Sequence, residues 1–71
     1  MNDMQIQQEV LAQLDRDENV PADAIGVEVH HGVVKLASRL SDPAIKKSAE
    51  LDARRVAGVT EVVLDMGVEE R

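Results

Sequence analysis

The 71-residue chain contains no cysteine and no phenylalanine, tyrosine or tryptophan. Without cysteine there is no disulfide to staple a small fold and no thiolate to ligate a structural metal. Without aromatic rings there are no stacking platforms for nucleic-acid bases and no interfacial anchors of the kind that collect at membranes. Positive charge is scarce as well. Eight Lys and Arg stand against 14 Asp and Glu, a formal net charge of −6. That balance works against nonspecific attraction to nucleic acid or anionic lipid, and no nucleic-acid partner is expected. No run approaches the roughly 20 apolar residues that span a bilayer, so no transmembrane segment is expected. The first residues also lack the basic and apolar regions of a secretory leader. As written, the chain is expected to be cytoplasmic; as a fragment of a longer secreted protein it would be periplasmic.

What is present suits one small domain. A chain of this size buries only about 60% of the surface its unfolded form exposes, so a thin aliphatic core must supply the stability. The organising stretch is residues 27–36, Val-Glu-Val-His-His-Gly-Val-Val-Lys-Leu. Two short alternating apolar runs meet at a glycine, which predicts a tight β-hairpin. A two-residue turn at His31 and Gly32 needs positive φ at both positions; glycine adopts it freely and histidine more readily than most residues. This turn pairs His30 with Val33, Val29 with Val34, Glu28 with Lys35, and Val27 with Leu36. Val27, Val29, Val34 and Leu36 then share one face, and a slip of one residue would scatter them.

Flanking segments read as cover for that face. Asp3 is a plausible N-cap for a helix to about residue 17, with Ile6, Val10 and Leu14 in its stripe, Leu11 widening it and Met4 near its start. The acidic end at Asp15, Asp17 and Glu18 opposes the helix dipole, so fraying is expected there. Residues 19–24, with Pro21, lead into a first strand at about 25–30. The second strand is expected from Val33 to about Leu40, with Val34, Leu36, Ser38 and Leu40 on the covered face. Asp42 and Pro43 mark the start of a second helix, proline fitting the first helical position. It extends to about residue 57, where Gly58 closes it in the left-handed conformation. Ile45, Ala49, Ala53 and Val56 form its inner face. A last strand, about 59–69, carries Val62, Leu64, Met66 and Val68 in alternation. Strand, helix and strand make a right-handed crossover, so strands two and three should be parallel. The expected class is α+β with order αββαβ, two helices on one face of a three-stranded mixed sheet.

Ile25-Gly26-Val27-x-Val29-x-x-Gly32-Val33-Val34-x-Leu36, followed by Ala49-x-x-x-Ala53-x-x-Val56-x-Gly58-Val59-x-x-Val62, resembles the BON domain, named for bacterial osmotically induced and nodulation proteins. The resemblance runs from about residue 4 to 68, consistent with one domain over 1–71. It implies the αββαβ fold and a non-enzymatic module tied to phospholipid or envelope binding and to osmotic stress tolerance. It also implies lipid head groups, an envelope protein or a sibling domain as partners. His31 stands where Asn or Asp usually precedes the turn glycine, and Ser38 where glycine is usual. Asp52 takes a helix position that is usually apolar, while Leu51 beside it falls on an outer flank.

No catalytic set emerges. His30 and His31 are adjacent in a hairpin, so they should point different ways, and no third ligand is near in sequence. Asp15 to Asn19 imitate the start of a calcium loop, but Val20 and Gly26 occupy the places that need glycine and glutamate. Ser38, Ser41 and Ser48 lack a nucleophile frame, no glycine-rich phosphate loop exists, and Met4 and Met66 suit gap-filling rather than ligation. No cofactor, metal or enzymatic activity is expected. The candidate binding surface is the uncovered sheet face, with Glu28, His30, Val33, Lys35, Ala37, Arg39, Val63 and Asp65. At the usual strand rise Lys35 and Arg39 would lie on one face about 13 Å apart, placed to hold phosphate head groups or an acidic partner. Alternatively the face is simply solvated and balanced by its acids. An exposed sheet edge offers a different use, strand addition by another chain or weak self-association.

Overall fold

The computed structural model describes residues 2–66. Its elements are α1 (Asp3–Arg16), β1 (Gly26–His30), β2 (Val33–Ser38), α2 (Pro43–Arg54) and β3 (Glu61–Met66), with a 3-10 turn at Ala22–Ala24 before β1. β2 is central, antiparallel to β1 and parallel to β3. The fold is α+β, αββαβ, and the hairpin pairs as expected: Val27 with Leu36, Glu28 with Lys35, Val29 with Val34, His30 with Val33. His31 and Gly32 take φ of 52° and 83°, the pair of left-handed residues that a two-residue turn requires.

Among the described residues the hydrophobic core is aliphatic. Ile6, Val10 and Leu14 of α1 meet Val27, Val34 and Leu36 of the sheet and Ala49 and Ala53 of α2. The alanines leave room for α2 to approach closely, and Val20, Ile25 and Val56 seal the ends from the connections. Val29, Val62 and Leu64 pack against this cluster from partly buried positions. The buried stripe of α1 is narrower than the sequence suggests. Met4 is 66% exposed and Leu11 38% exposed, because a three-stranded sheet shared with α2 has no width left for a second row. Leu51 is also exposed.

Several boundaries move for local reasons. Asn2, not Asp3, caps α1. Its Oδ1 accepts the Gln5 N–H at 2.8 Å while the Gln5 side chain accepts the Asn2 N–H at 3.2 Å, a reciprocal capping box. Asp3 is thereby released for another contact: its carboxylate accepts the N–H groups of His31 at 2.9 Å and Gly32 at 3.2 Å. α1 ends at Arg16, and Asp17 leaves helical geometry to accept the Asn19 N–H on its side chain. β2 stops at Ser38 rather than Leu40, since the Ser38 hydroxyl accepts the Leu40 N–H at 3.0 Å and bends the chain.

The ends of α2 differ in how well they follow expectation. Asp42 caps it through the Ala44 N–H, with Pro43 at the first turn as expected. It finishes at Arg54, after which short-range bonds from Arg55 to Asp52, Val56 to Ala53 and Val59 to Val56 carry a tighter turn. Gly58 has φ of 94° within that turn and does not directly close the α-helix. Val59 and Thr60 lie before β3, and the Thr60 N–H donates to the Gly32 carbonyl at 2.9 Å. Val68 and the expected strand end at 69 fall outside the described residues, as does the side chain of Met66.

A Cβ at Gly32 would sit 3.0 Å from the Gly58 carbonyl oxygen and 3.2 Å from the Thr60 hydroxyl. Gly32→Ala is therefore expected to destabilise the domain by about 1–3 kcal/mol, through a strained φ and that backbone contact; urea unfolding measures it. Asp3→Ala should lower the melting temperature and accelerate hydrogen exchange at the His31 and Gly32 amides. The backbone bond from His31 holds the Asp3 carboxyl below its ordinary value; burial opposes it, and the Gly32 bond and the nearby histidine charges add smaller downward pulls. Its contribution is present above the unfolded value of 3.8 and lost as pH falls through the lower folded value. The wild-type and Asp3→Ala melting temperatures should accordingly converge in acid.

Candidate functional site

The uncovered face of the sheet is built by alternation, with the helices occupying the opposite face. Glu28 lies across from Lys35 and His30 across from Val33. On the other side of β2, Val33 lies beside Glu61, Lys35 beside Val63 and Ala37 beside Asp65. Side-by-side residues in a pleated sheet point the same way, which adds Glu61 to the face. The face thus carries Glu28, Glu61 and Asp65 against the single strand cation Lys35. The Lys35 Nζ sits 3.9 Å from Asp65 Oδ2, with both side chains about half exposed (48% and 46%). Such a pair contributes little to stability, but it does occupy the lysine.

Arg39 is not brought onto this face by strand alternation, because β2 ends one residue before it. Strand pairing places Lys35 on the face and assigns Arg39 to neither face. Arg39 belongs instead to the connection from β2 to α2, followed by Lys46 and Lys47 near the start of that helix. Among the described residues, none of these three forms an ion pair, whereas Lys35, Arg54 and Arg55 do.

The histidines come together rather than apart. The left-handed turn at His31 breaks strand alternation and sets the two ring centroids 4.2 Å apart in an edge-to-face arrangement. Among the described residues no group of three His, Cys, Asp or Glu side chains gathers in a way that could hold a metal.

The sheet edges are unequal. In the hairpin pairing, Val27 belongs to a pair whose peptide groups point away from the partner strand. Its carbonyl accepts the Gln7 side-chain amide at 3.1 Å, so α1 partly covers the edge of β1. No described strand pairs with the outer edge of β3.

A second polar site lies at the seam between the C-terminal ends of the helices. The Asp52 side chain is only 6% exposed, and its Oδ1 is 3.8 Å from an Arg55 guanidinium nitrogen. Its Oδ2 is buried with no hydrogen-bond partner. Burial, then the hydrogen bond with Asp17 and the charge of Asp17, push the Asp52 carboxyl up to about 6, against the opposing pull of Arg55. Asp17 moves the other way, held below its ordinary value chiefly by Asp52 and by the Asn19 backbone. The pair opens onto a polar cleft of about 620 Å³. Sequence reasoning marked Asp52 as out of place on an apolar position, but its pairing with Asp17 joins separate helices and has no local signal.

No helix among the described residues is long and apolar enough to cross a membrane. No curated protein matches the chain. The family model of the BON domain does match, over residues 2–70, nearly the whole sequence and all of the hairpin, crossover helix and last strand described above. The chain belongs to the BON domain family.

Proposed function

We propose that this domain is a non-enzymatic binding module that docks on phospholipid or envelope surfaces through the β2–α2 end of the molecule. Membership of the BON family over residues 2–70 supports a binding role. The observation that selects this end is the distribution of cations. Lys35 faces Asp65 and shares its surface with Glu28 and Glu61, so a phosphate approaching the open sheet meets a net negative field. Arg39, Lys46 and Lys47 have no ion-pair partner among the described residues, and Arg39 and Lys47 are exposed. Localised cations can attract head groups even on a chain whose net charge is −6, provided ionic strength is low enough that the field is not screened within about 10 Å. Osmotic stress tolerance and an envelope location accompany this reading as its physiological setting.

A second reading rests on the outer edge of β3, which no described strand covers. An extended segment from another protein could add there by backbone hydrogen bonding, making the module an adaptor rather than a lipid binder.

Cosedimentation with vesicles separates the two. The expected result is binding to phosphatidylglycerol-containing vesicles at low salt, weaker at 0.15 M salt and weaker for the double variant Arg39→Glu, Lys47→Glu. Lys35→Ala should bind as the parent does. No binding to anionic or neutral vesicles at low salt defeats the lipid reading and leaves the edge of β3 as the remaining surface.

A further inference from the structure

The cleft between the helix ends contains a chemical problem that its own residues must solve. A buried carboxylate oxygen without a partner is costly, the more so when charged, and Asp52 Oδ2 is such an atom. Arg55 does not satisfy it, since its guanidinium approaches the other oxygen and at 3.8 Å is beyond hydrogen-bond distance. A metal ion does not fit the donors either: among the described residues no third acidic or histidine side chain converges with Asp17 and Asp52. What remains is the smallest cation, shared between the two carboxyl groups. Asp17 lines the same cleft as Asp52, and two carboxyl groups brought together there bond only if one of them carries a proton.

We propose that Asp17 and Asp52 form a proton-operated latch, in which one proton held on Asp52 and donated to the Asp17 carboxylate closes the end of α1 against α2, and loss of that proton opens the seam. The buried partner holds the proton because its ionised form is the harder to solvate. Asp17 remains the acceptor because it also receives the Asn19 N–H at 2.9 Å. The charged groups around the pair come from each packed segment. Arg16 ends α1, Glu18 follows on the connection, and Arg55 follows α2; Gln13 and Asn19 complete the cleft wall. Arg55 tempers the repulsion after deprotonation.

The consequence is a segment whose hold depends on pH in the mildly acidic range. Asp52 has a folded value of about 6 against 3.8 unfolded, so its contribution is fully present below 3.8 and declines as pH rises through about 6. Asp17, depressed in the fold, behaves oppositely, and its contribution fades only in stronger acid, below 3.8. The seam is therefore tightest between those limits. The segment it releases begins at Asp17 and leads through buried Val20 to the 3-10 turn and β1, so opening bears on the edge of the sheet without breaking the hairpin.

Carbon-detected NMR of the side-chain carboxyls tests this in the intact chain. The Asp52 carboxyl should titrate with a midpoint near 6, and the amides of Asp17, Asn19 and Val20 should shift with that same midpoint. In Asp17→Asn the Asp52 midpoint should fall by about one pH unit or more, since the like charge is gone and an amide donor replaces it. A wild-type Asp52 midpoint in the ordinary range near 3.8 overturns the proposal. So does an Asp52 midpoint near 6 with no response at the Asp17–Val20 amides, which would make it a buried acid and not a latch. Neither reading depends on a variant folding.

Discussion

Three separate parts of the chain are tied to the reversal at His31 and Gly32. The two left-handed residues set the β1–β2 pairing, and the turn amides they expose are taken by Asp3 from the first turn of α1. The Gly32 carbonyl receives the Thr60 N–H, which brings the chain into β3 with Glu61 beside Val33. A side chain at residue 32 would press against that incoming segment, 3.0 Å from the Gly58 carbonyl oxygen. One tight turn thus fixes the start of the first helix and the alignment of the last strand relative to the central one. The aliphatic core then fills the space so defined, among the described residues with Val, Leu, Ile and Ala.

With so little apolar surface to bury, polar exceptions carry weight. Most of the excess acid lies exposed, where it costs little, and the open sheet face is itself acidic. Asp52 is the exception, on a position where the helix otherwise presents alanines to the core. A local rule broken inside an otherwise consistent sequence is where strain or function is expected, and here the conflict resolves through a proton shared with a second carboxyl group. The same charge bookkeeping moves attention from Lys35 to Arg39 after β2 and Lys46 and Lys47 in the first turns of α2, since binding of an anion depends on which positive groups are still uncommitted.

Much of the fold was legible. The hairpin could be paired residue by residue because period-two alternation and a turn glycine specify the same arrangement independently. Asp42 followed by Pro43 announced α2 because capping and the first helical position are set within a few residues. The element ends were less legible, because they turn on side chains competing with the backbone: Ser38 ending β2 and Asn2 displacing Asp3 as the cap. The breadth of the α1 stripe was misjudged at Leu11 and Met4, since a periodic pattern says which residues could be buried and not how wide a surface awaits them. Of the candidate surface, Glu28, His30 and Lys35 fall on the open face as alternation requires, Glu61 joins them through the parallel pairing, and Arg39 lies past the end of the strand, where alternation no longer assigns a face.

The sequence by itself determined the order of elements, the hairpin pairing, the handed crossover and the identity of most of the core, because each rests on neighbours a few residues apart and on a period repeated along one element. Only the tertiary structure decided that Asp3 serves a turn 28 residues away, that Lys35 stands beside Asp65 of β3, and that Asp17 and Asp52 line one cleft. Those contacts join groups on different elements whose separation is set by packing, and no local pattern encodes a distance between two helices.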